Sequence, residues 1–185
     1  MQVEGGVSKN GTNIQQWGTT GDSVHDIWKL VETGDGYYYL ISGVGDGNSF
    51  SLDIEGKSSS NGSNVVINES NNEKSQQFMI VKNSDGFYLI KTRISDNKSA
   101  VEIADSGIKS GDNVQHWTLN NSNNQNWILE EVVLLKNNKN NESYHLFKAN
   151  KVKKKGKSDS FSVIRTEIFK DDECVHTVVY AKYKN

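Results

Sequence analysis

Hydrophobic positions in this chain recur in threes, spaced like short strands and not like helical faces. Val3-Glu4, Leu52-Asp53-Ile54 and Val101-Glu102-Ile103 each open a unit. A turn follows in each at Asn10-Gly11, Asn61-Gly62 and Ser110-Gly111. Asn-Gly supplies the positive φ angles of a tight hairpin, and Ser-Gly is a weaker substitute. After the turn Ile14, Val65 and Val114 are predicted to point inward, with alternate residues outward. Gly11-Thr12-Asn13-Ile14-Gln15-Gln16-Trp17 returns as 62–68, ending in Asn68, and again as 111–117, ending in Trp117. Trp28, Phe78 and Trp127 then begin another strand. Asp35-Gly36 and Asp85-Gly86 turn the first two of these strands into Tyr37–Ile41 and Phe87–Ile90. The period is about 50 residues, all four tryptophans belong to it, and such a period means one supersecondary unit multiplied around a shared core.

The third unit departs where a turn is due, since no Asp-Gly follows Trp127. The missing hairpin is one that would stand before Val3 at the other end. Composition shifts near Val132: residues 1–132 carry a net charge of −8 and residues 133–185 one of +6. The pattern therefore divides into a repeat domain over 1–132, an Asn/Lys-rich linker over 133–143 and a small β-rich appendage over 144–185. In the last part, 144–147, 161–169 and 175–180 are predicted strands, too small a meander to hold a core alone. Lys153-Lys154-Lys155-Gly156-Lys157 reads as a solvated basic loop.

Hydrophobic residues make up 34% of the chain, and no run of eighteen apolar residues exists to span a membrane. Met1–Gly6 has neither the basic start nor the apolar stretch of a signal peptide. The acidic repeat part gives nucleic acid no support. A single Cys174 excludes an internal disulfide. Cys174 and His176 share a strand face without a third orienting group, so a nucleophile is not expected there. Metal-ligand spacing and phosphate-binding glycine loops are missing, and no cofactor is predicted. His25 and His116 are read as solvated.

The threefold Gln-x-Trp arrangement over residues 1–132 closely resembles the ricin-B-type lectin and carbohydrate-binding module family. The resemblance implies an all-β β-trefoil with four strands per repeat, and Trp28, Phe78 and Trp127 as its core. Counted against that pattern, the first strand of the first repeat is missing. Either the chain is a fragment, or part of 132–185 fills the gap.

It also implies sugar pockets, each needing an aromatic platform for the C–H face of a ring and a polar fork for its hydroxyls. Carried over by position, the third repeat offers Glu102 as the acid, Gln115 and Trp117 as the outward pair, and Asn124 and Gln125 as the fork. A weaker first-repeat site comprises Gln15, Trp17, His25 and Asp26, with Gln2 where the acid belongs. The second repeat keeps Asp53 but has Val66 and Asn68 in place of Gln and Trp, and is expected to be silent. The function implied is non-catalytic binding of a plant or microbial polysaccharide, or of a glycan, by an extracellular module. A glycoside hydrolase domain upstream would suit that role. The alternative is a trefoil protein-interaction or inhibitor surface with decayed sugar sites.

Overall fold

The computed structural model describes residues 1–18 and 23–134, and beyond them the strand residues 144–148, 150–151, 169–170, 173–174 and 182–183. Ten strands form one antiparallel sheet: β1 (Gln2–Val3), β2 (Thr12–Gln15), β3 (Trp28–Glu32), β4 (Tyr38–Ser42), β5 (Phe50–Ile54), β6 (Ser63–Glu69), β7 (Phe78–Lys82), β8 (Tyr88–Thr92), β9 (Ser99–Ile103) and β10 (Val114–Thr118). The register repeats with the sequence: Gln2 lies opposite Gln15, Asp53 opposite Val66 and Glu102 opposite Gln115. This is the β-trefoil arrangement expected from the repeat. It contains no α-helix among the described residues, only single 3₁₀ turns.

Trp28, Phe78 and Trp127 are sealed in the core, in contact with one cluster that includes Ile14, Val65 and Val114. The Trp127 indole N–H donates to the Val101 carbonyl at 3.0 Å, and that of Trp28 to Met1 at 3.4 Å, so the rings enter the core without an unmet donor. Phe78 needs no such partner. Truncating any of the three is the kind of core deletion that costs about 3–5 kcal/mol.

The three hairpins interlock in a cycle around the pseudo-threefold axis. The Gly11 amide donates to the Ile67 carbonyl, Gly62 to His116 and Gly111 to Gln16, at 2.9, 2.9 and 2.7 Å. Each turn is therefore held by the next copy's strand, not only by its own. The residue before each glycine repeats the device: Asn10 accepts from Glu69 N, Asn61 from Thr118 N, and Ser110, through its hydroxyl, from Gly18 N. Side chains close the same end. Asn113 donates to Asn64 at 2.9 Å and Asn64 to Asn13 at 3.0 Å, joining equivalent positions of all three repeats.

The hairpin that the sequence pattern lacks has a counterpart. β11 (Glu130–Leu134) pairs antiparallel with β12 (Tyr144–Lys148), and β12 runs beside β3. Elsewhere β4 touches β7 at Tyr38 and Phe78, and Tyr88 bridges Trp127, so a strand in this place against β3 repeats the threefold scheme. Phe169–Lys170 pairs with Glu173–Cys174, and Asn150–Lys151 with Lys182–Tyr183. The rest of the predicted strands at 161–169 and 175–180 lies outside the described residues, as do the basic run 153–157 and His176.

Candidate functional site

In the third repeat β9 and β10 bring the expected acid and amides together. Glu102 is 3% exposed. Its Oε1 accepts from Gln115 Nε2 at 2.8 Å and its Oε2 from Gln125 Nε2 at 2.9 Å. A carboxylate held by two amides is fixed in orientation and keeps lone pairs for further donors. Trp117 follows His116 on β10, half-buried, and lies over the turn that the second repeat sends across. A methyl group on Gly62 would stand 3.8 Å from its Cζ3. Indole and carboxylate thus arise on adjacent strands of one hairpin, with the platform's underside made by a different repeat.

The fork is built differently from expectation. Gln125 is fully buried. Both its amide hydrogens are engaged, on Glu102 and on the Thr118 carbonyl, while its oxygen accepts from Asn120 N. It holds Glu102 in place and has no amide hydrogen left over. Asn124 is also buried, donating to the Ile103 carbonyl at 2.8 Å and accepting from Ser122 Oγ. Gln76 repeats the Gln125 pattern in the second repeat, donating to Asp53 and to the Glu69 carbonyl and accepting from Asn71 N. The recurring Gln two positions before a core aromatic was the available signal for this strut.

In the first repeat the two roles are exchanged. Gln2 stands on the strand where Asp53 and Glu102 stand, and Asp26 takes the strut position of Gln76 and Gln125. Asp26 is buried, in a 3₁₀ turn capped by the Ser23 hydroxyl. Gln15 is buried and Trp17 is 42% exposed, lying against the Gly111 turn as Trp117 lies against Gly62. His25 is half-buried, with its ring over Gly6 so closely that no side chain fits there.

His116 is a correction to the solvated histidine expected from sequence: it is wholly buried. Its position after Gln115 turns it inward with Gln16 and Ile67, against the turn of the neighbouring repeat. Nδ1 lies 3.1 Å from the Ser60 carbonyl oxygen, which requires the Nδ1–H tautomer, and Nε2 is buried without a partner. Burial, partly opposed by the Ser60 bond and by Glu102, lowers its pKa from 6.5.

Asp53 in the second repeat is also buried. It lines a cavity of about 350 Å3 together with Asn10, Lys57, Asn68 and Glu69. No group of three or more His, Cys, Asp or Glu side chains suited to a metal occurs among the described residues. No helix there is long and apolar enough to cross a membrane.

Residues 1–68 and 41–117 each match the profile of the family described as ricin-type beta-trefoil lectin domain-like. No curated protein matches the chain in sequence. Among solved structures, the designed threefold-symmetric protein ThreeFoil is similar at 30% identity and TM-score 0.63, over 69% of this chain and 86% of that one. An exo-beta-1,3-galactanase from Clostridium thermocellum is similar at 26% identity and TM-score 0.61, over 68% of this chain and 26% of that one. A mosquitocidal holotoxin shares the fold at 13% identity and TM-score 0.58, over 70% of this chain and 17% of that one.

Proposed function

The chain belongs to the ricin-type beta-trefoil lectin domain-like family, and from that membership we propose that it binds saccharides without catalysis, holding a sugar ring on Trp117. Membership supports carbohydrate binding in general. The observation that carries the finer reading is the pairing of a half-exposed indole with the fixed carboxylate of Glu102 on the neighbouring strand. An indole face removes the ring's C–H surface from water, and a carboxylate accepts from hydroxyls at its rim. Gln115 completes this arrangement, whereas Asn124 and Gln125 hold its floor.

Trp17 with Gln15 is a second, weaker platform, because Gln2 offers no carboxylate beside it. Each shallow site is expected to bind one monosaccharide with a dissociation constant on the order of millimolar, and two sites on one chain to hold a polymer more tightly. Recognition is assigned to the trefoil, with no part given to residues 149–185. An extracellular module working beside a carbohydrate-active enzyme suits this reading, and the galactanase carries a similar fold over 26% of its own chain. Affinity electrophoresis in gels containing plant and microbial polysaccharides tests it. The wild-type chain is expected to be retarded, and Trp117→Ala and Glu102→Ala to lose most of that retardation. Unchanged retardation in both variants would exclude the third-repeat site.

A further inference from the structure

The residue ahead of each platform position follows a pattern of its own. Gln16 precedes Trp17, His116 precedes Trp117, and Ile67 precedes Asn68. All three are buried, and the carbonyl of each accepts the glycine amide of a turn sent across by another repeat. Two of them also grip that turn with a side chain. Gln16 Nε2 donates to the Lys109 carbonyl at 2.8 Å, and His116 Nδ1 lies 3.1 Å from the Ser60 carbonyl oxygen. Lys109 and Ser60 each stand two residues before the glycine of their turn, so the two bonds are equivalent. Ile67 has nothing to donate. A side-chain donor thus occurs in both repeats that carry an indole, and not in the repeat that carries Asn68 instead.

The grip matters because of what the turn supports. Methyl groups on Gly62 and Gly111 would stand 3.8 Å from Cζ3 of Trp117 and of Trp17, so each glycine lies under its indole. Gln16 is neutral at any pH, whereas a histidine takes up a proton. In the cation Nδ1 keeps its hydrogen, but Nε2 gains one, and Nε2 is buried without a partner. A wholly buried imidazolium with an unmet N–H is costly, and turning it out to water frees the Ser60 carbonyl. Glu102 on β9 is the charge that acts on the ring and favours the cation, but both its oxygens are held, by Gln115 and Gln125. The turn 58–63, Ser63 and Asn64 where β6 pairs with β10, and the rest of β10 carry no charge. We infer that His116 is a positioning residue for the Trp117 platform, and that acid releases this platform while the Trp17 platform stays in place. The consequence for saccharide binding rests on the proposed role of Trp117, but the release itself does not.

Both parts are measured on the full chain between pH 7.5 and 5. With isotope labelling, nuclear Overhauser contacts between the Trp117 ring and the Gly62 α-protons are expected at pH 7.5 and should fade toward pH 5. Those between Trp17 and Gly111 are expected to persist. His116→Gln, which copies Gln16, is expected to keep the Trp117 contacts throughout. In polysaccharide gels the Trp17→Ala chain, left with the third-repeat platform, is expected to lose retention about fivefold over this range, the scale of one hydrogen bond. Adding His116→Gln to it should flatten that profile. Gly62 contacts that persist at pH 5 in the wild-type chain, or that fade equally in His116→Gln, would overturn the positioning role. Fading contacts without any retention of the Trp17→Ala chain at pH 7.5 would uphold that role and overturn the saccharide reading instead.

Discussion

The Gly62 amide donates to the His116 carbonyl oxygen at 2.9 Å, fastening the second-repeat turn to the third-repeat strand immediately before Trp117. Gly62 has φ 81°, a left-handed conformation that costs other residues about 1–2 kcal/mol. Gly62→Ala is expected to lower unfolding free energy by about that amount in urea. Gly62→Val adds branches beneath the indole and is expected to reduce polysaccharide retention as well. Gly11→Ala, with open space around it, should show the stability loss without the binding loss.

His116 makes stability depend on pH. Burial holds its folded pKa below the ordinary 6.5, so as pH falls the unfolded chain takes up the proton first. The stability contributed by the neutral ring is present above 6.5 and lost as pH drops from there toward the lowered folded value. Melting temperatures measured from pH 7.5 to 5 are expected to fall across this window. His116→Ile, copying Ile67 at the equivalent position, is expected to flatten that part of the profile. A profile unchanged by the substitution would assign the slope to other groups.

Gln125→Ala removes both donors that the buried amide gives and leaves Glu102 Oε2 and the Thr118 carbonyl unmet. A loss of about 1–3 kcal/mol per uncompensated buried group is expected in urea unfolding, with weaker sugar binding because Glu102 is no longer oriented. Gln125→Glu keeps the shape but sets a second carboxylate against Glu102, and is expected to be worse than Ala at neutral pH. Gln76→Ala is expected to match the stability loss while leaving third-repeat binding unchanged.

Ending the chain at Val132 removes β12 and part of β11. β11 then loses its antiparallel partner, and the backbone of β3 loses the strand beside it. Limited proteolysis is expected to cut the shortened chain faster than the full one. Equal resistance would show that the trefoil closes without residues 144–148.

Much of the architecture was legible because it is written three times. The core aromatics and the Gly turns sit at fixed intervals, and a strand's two-residue alternation carries Ile14, Val65 and Val114 inward as expected. Individual polar residues were harder to read. Gln125 is buried although its type favours water, because Glu102, the Thr118 carbonyl and the Asn120 amide meet all its polar atoms there, and His116 is buried with only Nδ1 met, by the Ser60 carbonyl of a distant segment. The chain of hydrogen bonds from Asn113 through Asn64 to Asn13 runs through one repeated residue, but its partners come from different repeats.

By itself the sequence determined the repeat, the turns and the hydrophobic interior, since these follow from local periodicity and backbone preference. Only the tertiary structure decided which polar side chains are buried in the fold and which stay open to solvent. Glu102 is satisfied by Gln115 and Asp53 is left short by Val66, and that difference arises from which residues face each other across paired strands and from how deeply water is excluded between them.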